Sequence, residues 1–340
     1  MSIGQKPSTQ IVARDRYLAI VAGTVLVTIM LAGIIPGGFA QTGWTGTRLG
    51  PAGKDLNAVY FADSKRGWIG GDGGFLSYTN DGGHSWAEQP LSTSHPINDV
   101  YFSGKDTGFL LAGNEILGTN DGGRTWKTLR RLAVSEFDGA EPELYSVRFV
   151  GSKKGWVVGS ASRGDLVVDS IVLFTNDAGI SWQRQRVPAR EELIHLDFVN
   201  DKHGWIVGAS GTILHTADGG ESWTRQNSDV KATLYHSDFR NEKLGWAVGE
   251  RGTILRTSNG GNNWLPVESN VRTTLLSVQF VSDDQGWVVG RGGVILRSGD
   301  GGRTWIRQTT GTKQNLYAVF IGKKVGWAVG GDGMVLRYER

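Results

Sequence analysis

An all-β fold, a seven-bladed propeller of four-stranded blades, is predicted by three observations. The chain's 13 tryptophans fall into two columns, one in Gly-Trp-x-x-Gly phrases and one just after compact turns such as TNDGGHSW. The best-kept repeats are 41 residues apart, from Trp205 to Trp246 to Trp287. Each repeat holds four short segments rich in β-branched residues, which alternate as half-buried strands of four to six residues do and are too short for helices. Four strands in about 41 residues is the pattern of a propeller blade.

The elements follow in chain order. Residues 1–16 are polar and basic, and the 19 residues from Tyr17 to Ile35 are uncharged, a length that just crosses a hydrocarbon core. Positive charge ahead of that run orients the rest of the chain outside the cytoplasm. Small residues at Gly38 and Ala40 precede Gln41, so residues 17–40 read equally as a cleaved signal peptide or as a retained transmembrane anchor, one hydrophobic helix ahead of the propeller. The propeller is assigned to residues 41–340, exported to a periplasmic or lumenal side and tethered where the anchor is kept. Of the formal net charge of +3, Lys6, Arg14 and Arg16 against Asp15 supply +2, leaving +1 for the remainder. Nucleic acid is therefore not an expected partner. With no cysteine, disulfides, thiolate metal sites and thiol catalysis are excluded.

First strands begin at Leu56, Ile97, Leu144, Leu193, Leu234, Leu275 and Leu316. Second strands carry Trp68, Trp156, Trp205, Trp246, Trp287 and Trp327, with Phe109 in the same slot of a GFLLAG variant. Third strands end in turns built on Asp81, Asp121, Asp177, Asp218, Asn259 and Asp300, and the tryptophans after them open the fourth strands. The last repeat stops after its third strand, MVLRYER, while Trp44 in TGWTGTRLG opens a lone fourth strand. Pairing the two closes the ring and removes the free sheet edges. A single closed ring of this kind is expected to act as a monomer.

The acidic turns read as structural clasps. An Asp side chain there accepts backbone N–H bonds while glycine takes the left-handed conformation. A calcium loop is the competing reading, but each turn offers one carboxylate and Asn259 replaces it in one copy. A calcium ion takes six to eight oxygens. No metal and no cofactor are expected.

The pattern Ser/Thr-x-Asp-x-Gly-x-x-Trp is the Asp-box, or BNR repeat, of sialidases, sortilin-type receptors and some glycosidases. Together with Gly-Trp-x-x-Gly in the second strand, residues 44–340 most resemble the photosystem II assembly and stability factors of plastids and cyanobacteria and their relatives in other bacteria. The resemblance implies a non-enzymatic, seven-bladed propeller on the lumenal or periplasmic side that assists assembly of a membrane complex. It also implies an arginine-rich patch, without assigning its residues. Cyanobacterial members are commonly lipoproteins, and this chain has no cysteine to lipidate.

Two insertions fall in the third blade. Trp126 to Leu144 spans 18 residues against 11 in most blades, and Trp156 to Asp177 spans 21 against the usual 13. Both lie on the side that carries the blade-to-blade connections and the turns between second and third strands. Functional loops on a rigid scaffold are expected at such places, which nominates Arg130, Arg131, Phe137 and Arg163 as partner contacts. The same side gathers Lys54, Arg190, Lys231, Arg251, Arg272, Arg291 and Lys313, suited to carboxylates of a partner or to anionic headgroups. The opposite side carries Lys65, Arg66, Lys105, Lys153, Lys154, Lys202, Lys243, Lys323 and Lys324. The expected partner is an extracytoplasmic segment of a membrane protein.

The competing reading is a secreted carbohydrate-binding, glycoside-hydrolase or sialidase-like propeller. Its candidates are Arg148, His195, Asp197, His236 and Asp238 on consecutive first strands, residue types suited to acid–base work. The equivalent slots elsewhere hold Tyr60, Tyr101, Gln279 and Phe320, which favours inter-blade bonding over catalysis. The Arg-Ile-Pro phrase of sialidases, Gly-x-Ser-x-Gly, the P-loop and the dinucleotide fingerprint are all absent. No catalytic residue is assigned.

Overall fold

The computed structural model describes residues 43–339, which form seven four-stranded antiparallel sheets. The basic segment 1–16 and the apolar segment 17–40 lie outside the described residues. Among the described residues no helix is long and apolar enough to cross a membrane. Blade 4 shows the plan, with strands Leu193–Phe198, Gly204–Gly208, Ile213–Thr216 and Thr224–Gln226. The seventh sheet joins Leu316–Ile321, Val325–Gly330 and Met334–Glu339 to Trp44–Arg48, so the first described strand closes the ring as expected.

The glycines of Gly-Trp-x-x-Gly are dictated by close approach. A Cβ on Gly204 would meet the Phe198 ring at 2.5 Å, and one on Gly208 would sit 2.0 Å from the Glu192 carbonyl oxygen. The tryptophan between them bridges blades. Trp156, Trp205 and Trp246 stack on Phe198, Phe239 and Phe280 of the following blade, with centroids 3.8, 3.7 and 3.4 Å apart. Tryptophans of the second column, such as Trp223, Trp264 and Trp305, meet the same phenylalanines edge-on from the outside.

The Asp-box turns are clasps in detail. Asp218 Oδ1 accepts the Ser222 amide at 2.9 Å and the Thr216 hydroxyl at 2.7 Å, and Thr216 Oγ1 accepts the Gly220 amide at 2.8 Å. Asn259 does the same with its amide oxygen, accepting from Thr257 and Asn263 at 3.0 Å each. Hydrogen bonding from the Ser181 hydroxyl holds the equivalent Asp177 carboxyl down at about 2. Blade 3 departs from the pattern with Asp-Ala-Gly, and Ala178 takes a φ of 62°. Thr216→Val removes an acceptor 1% exposed and orphans the Gly220 amide. It is expected to cost about 1–3 kcal/mol, with neither calcium nor a chelator moving the melting temperature of either protein.

The two sides of the disc are defined by hydrogen bonds. Asp-box amides of Gly82, Gly219 and Gly260 donate to carbonyls of Lys65, Lys202 and Lys243 in the turns between first and second strands. On the other side, turns between second and third strands donate to residues just ahead of the first strands, as Asp72 to Asp55, Ala209 to Glu192 and Glu250 to Thr233. That second side is the connection rim. All seven first strands slip register, as between Leu193 and His195; the bulged residue is the second of the strand in six blades and, in the prolonged first strand of blade 3, the fifth.

Blade 3 corrects the expectation of uniformly short strands. Its first three strands, Glu141–Val150, Lys154–Arg163 and Leu166–Thr175, are each ten residues long. The insertion after Trp156 is thus more ladder rather than a free loop. The other insertion forms a strand, Lys127–Arg131, and a 3-10 turn, Val134–Phe137.

Candidate functional site

The polar slots of the first strands resolve into one device, repeated with different chemistry from blade to blade. Tyr60 and Tyr101 donate to the Phe102 and Phe149 carbonyls of the next blade at 3.0 and 2.9 Å. Asp197 and Asp238 accept the Phe239 and Phe280 amides at 2.7 and 2.9 Å, and Gln279 accepts the Ile321 amide at 2.5 Å. Phe320 closes the ring through the Tyr60 and Phe61 rings. Arg148 bonds Asp99 at 3.1 Å behind it and His195 Nε2 at 3.0 Å ahead. His195 stacks on His236 with centroids 3.6 Å apart.

The electrostatics follow from burial. Burial, the neighbouring histidine and Arg148 hold His195 well below the usual histidine range, so it is neutral near pH 7. Burial and then Arg148 push His236 down to about 3. Burial, reinforced by Asp197, raises Asp238 to about 7. Each of the two carboxylates is spent on an amide of the next blade, which makes the cluster an inter-blade latch. Among the described residues no group of three or more His, Asp or Glu is placed to hold a metal ion.

The nominated partner contacts divide. Phe137 is 5% exposed and packed in the blade 3 core, so its ring is not offered to a partner; the Arg184 guanidinium covers it at 5.3 Å. Its burial anchors the insertion. Arg130 pairs with Glu136, Arg131 with the buried Glu115 at 2.7 Å, and Arg163 donates to the Asp138 carbonyl. These three arginines therefore brace the insertion as well as facing solvent. Lys231, Arg251, Arg272 and Lys313, on the rim of blades 5 to 7, are exposed and form no ion pair among the described residues. Lys54 and Arg190 are exposed on the same rim, while Arg291 is partly buried there beside Tyr235 and Tyr317. On the opposite side Lys154 is bound to Asp201 at 2.8 Å and Arg66 to Asp63 at 2.8 Å. Lys65, Lys105, Lys153, Lys202, Lys243, Lys323 and Lys324 on that side are also exposed and form no ion pair among the described residues, so uncommitted cations occur on both sides, with the arginines Arg251 and Arg272 among those of the connection rim.

The sequence reading missed the rim's inner edge. The bulged residue is tyrosine in blades 3, 5 and 7, at Tyr145, Tyr235 and Tyr317. The Tyr317 hydroxyl donates to Asp55 at 2.9 Å, and burial pushes it up to about 12. Glu143 and Glu192 flank Tyr145. The signal for this edge was present: an acidic residue stands just before the leading leucine of the repeat at Asp55, Glu143 and Glu192.

Residues 85–190, 176–273, 223–314 and 267–339 match the family model described as photosynthesis system II assembly factor YCF48. Over 98 residues the chain is 35% identical to photosystem II stability/assembly factor HCF136, chloroplastic, of Oryza sativa subsp. japonica; the stretch is 28% of this chain and 21% of the rice protein. A solved structure of YCF48 bound to D1 peptide superposes with a TM-score of 0.71 at 22% identity, covering 89% of this chain and 98% of that one. YCF48 from Cyanidioschyzon merolae gives 0.69 at 21% identity, covering 87% and 98%. Virginiamycin B lyase from Staphylococcus aureus gives 0.70 at 14% identity, covering 87% and 99%. The structural likenesses show the propeller fold alone.

Proposed function

The chain belongs to the photosynthesis system II assembly factor YCF48 family, and from that premise we propose that it is a non-enzymatic, exported propeller that holds an extracytoplasmic segment of a membrane protein during assembly of its complex. The observation that carries this reading is the set of uncommitted, exposed cations Lys231, Arg251, Arg272 and Lys313 on the connection rim. Guanidinium and ammonium groups on a rigid ring recognise carboxylates of a peptide without first breaking an internal ion pair. The family relationship to a protein whose structure holds a D1 peptide supports a polypeptide as ligand. Residues 17–35 keep the propeller at the membrane in this reading, on the lumenal or periplasmic side.

The test is capture of a partner from detergent-solubilised membranes, with a D1-derived peptide as a second probe. A variant carrying Lys231→Glu, Arg251→Glu, Arg272→Glu and Lys313→Glu is expected to lose at least about tenfold in affinity, or 1.4 kcal/mol. An unchanged affinity would remove the rim from the interface. Catalysis has less support, because the Asp197 and Asp238 carboxylates are engaged by the amides of Phe239 and Phe280.

A further inference from the structure

At the junction of blades 2, 3 and 4 the connection rim holds two carboxylates that nothing in the described chain neutralises. Glu143 accepts Asn98 Nδ2 at 3.2 Å and the Tyr145 hydroxyl at 3.5 Å. Glu192 is 6% exposed and lies within electrostatic reach of Glu143. Neither has a lysine or arginine partner among the described residues, whereas Glu115 and Glu191 beside them are paired at 2.7 and 2.6 Å. An independent feature faces the same place. Ser160 stands opposite Glu143 across the sheet and is 1% exposed. Its Oγ lies against the Tyr145 hydroxyl and finds no other hydrogen-bond partner among the described residues.

A buried carboxylate with no counter-charge either keeps a proton or takes up a cation. Burial, with Glu143 adding to it, raises Glu192 to about 7, so a proton is held there until a cation displaces it. Calcium and magnesium ask for six or more oxygens, more than this pair supplies. A primary ammonium asks for three acceptors, matched by the two carboxylates and a hydroxyl, and the Tyr145 ring adds a π face. The rim's other half carries cations, so an occupant spanning it presents both signs of charge, as a polypeptide does.

We propose that Asn98, Glu143, Tyr145, Ser160 and Glu192 form a recognition site for a primary ammonium group, presented by a lysine of the polypeptide lying across the rim. This deepens the peptide-binding reading and rests on it. The test is calorimetric titration of the full chain with acetyl-Gly-Lys-Gly-amide and with its Nε-acetylated, uncharged counterpart. Saturable binding is expected for the first, at least about tenfold weaker binding for the second, and an affinity that rises from pH 6 to pH 8 with proton release. Glu143→Gln and Glu192→Gln are each expected to weaken binding about tenfold while leaving the melting temperature within a degree or so of the parent. Absence of saturation, equal binding of the uncharged peptide, or an unchanged affinity in Glu192→Gln overturns the site. A Glu143→Gln/Glu192→Gln variant that still captures the membrane partner at full affinity also overturns it, and leaves the proposed function standing.

Discussion

Replacing Trp246 with alanine is expected to remove about 3–5 kcal/mol of stability, the usual loss for a buried tryptophan. The indole is fully buried, lies 3.4 Å from the Phe280 ring at an interplanar angle of 6°, and donates to the Gly301 carbonyl at 3.1 Å. It therefore ties blade 5 to blade 6 through area, stacking and a hydrogen bond together. Trp246→Phe separates these contributions. Gly301 also accepts Arg256 Nε at 2.8 Å, so its carbonyl keeps a donor, and the loss should fall to about 1 kcal/mol. Trp287 supplies the internal comparison, because Ile321 stands where the following blade elsewhere offers phenylalanine. An aromatic pair adds about 0.5–1.5 kcal/mol beyond buried area, so Trp246→Ala should exceed Trp287→Ala by about that much. Urea titrations followed by fluorescence and circular dichroism measure all three. Equal losses at the two positions would mean that the Phe280 stack contributes no more than the Arg297 guanidinium and the Tyr338 ring that Trp287 meets instead.

What could be read from the residues depends on whether the partner of each residue lies within the repeat. Trp205, Gly204 and Gly208 recur with fixed spacing because they pack against their own blade and the next, and every blade imposes the same demand. The Asp218 clasp closes within the seven residues from Thr216 to Ser222, so its bonding was legible in the sequence. The polar slots behaved differently. Tyr60, Arg148, Asp197 and Gln279 share no chemistry, and only the geometry shows that each reaches a main-chain group or a side chain of the next blade. Length revealed both blade 3 insertions but not their conformation. Whether extra residues prolong a ladder or loop out depends on strand pairing across Ser160 and Ser170, and Phe137 was misread as a contact because its core is built by those prolonged strands. Glu143 and Glu192 lie in different blades, and their proximity exists only once the ring is assembled.

Arg148→Leu is expected to be as costly as the tryptophan change, for an electrostatic reason. Among the described residues Arg148 is the one cation bonded to Asp99 across the blade 2–3 joint, and it also lowers the Asp197 carboxyl against the effect of burial. The Arg148 and Asp99 side chains keep 22% and 20% exposure, and breaking one side of so largely buried an ion pair costs up to about 3–5 kcal/mol, because the remaining charge is left uncompensated. Adding Asp99→Asn removes that charge while keeping an acceptor for the Val147 amide, so the double variant should regain much of the loss. A double variant no better than Arg148→Leu would shift the explanation to lost packing. The same cluster sets a pH signature. His195 and His236 are held below their unfolded value, so the stability they allow is complete above about pH 6.5 and falls as pH drops, by about 1.4 kcal/mol per unit for each. Asp238 runs the other way. Its carboxyl is raised to about 7 from 3.8, so its contribution is complete below 3.8 and is lost as pH rises toward 7. Between pH 5 and 6.5 the carboxyl therefore offsets one histidine. Asp238→Asn keeps an acceptor for the Phe280 amide and deletes that offset. Its stability should climb over this interval about 1.4 kcal/mol per pH unit more steeply than that of the parent. Equal slopes would show that Asp238 is ionised in the folded protein and that the latch holds no proton there.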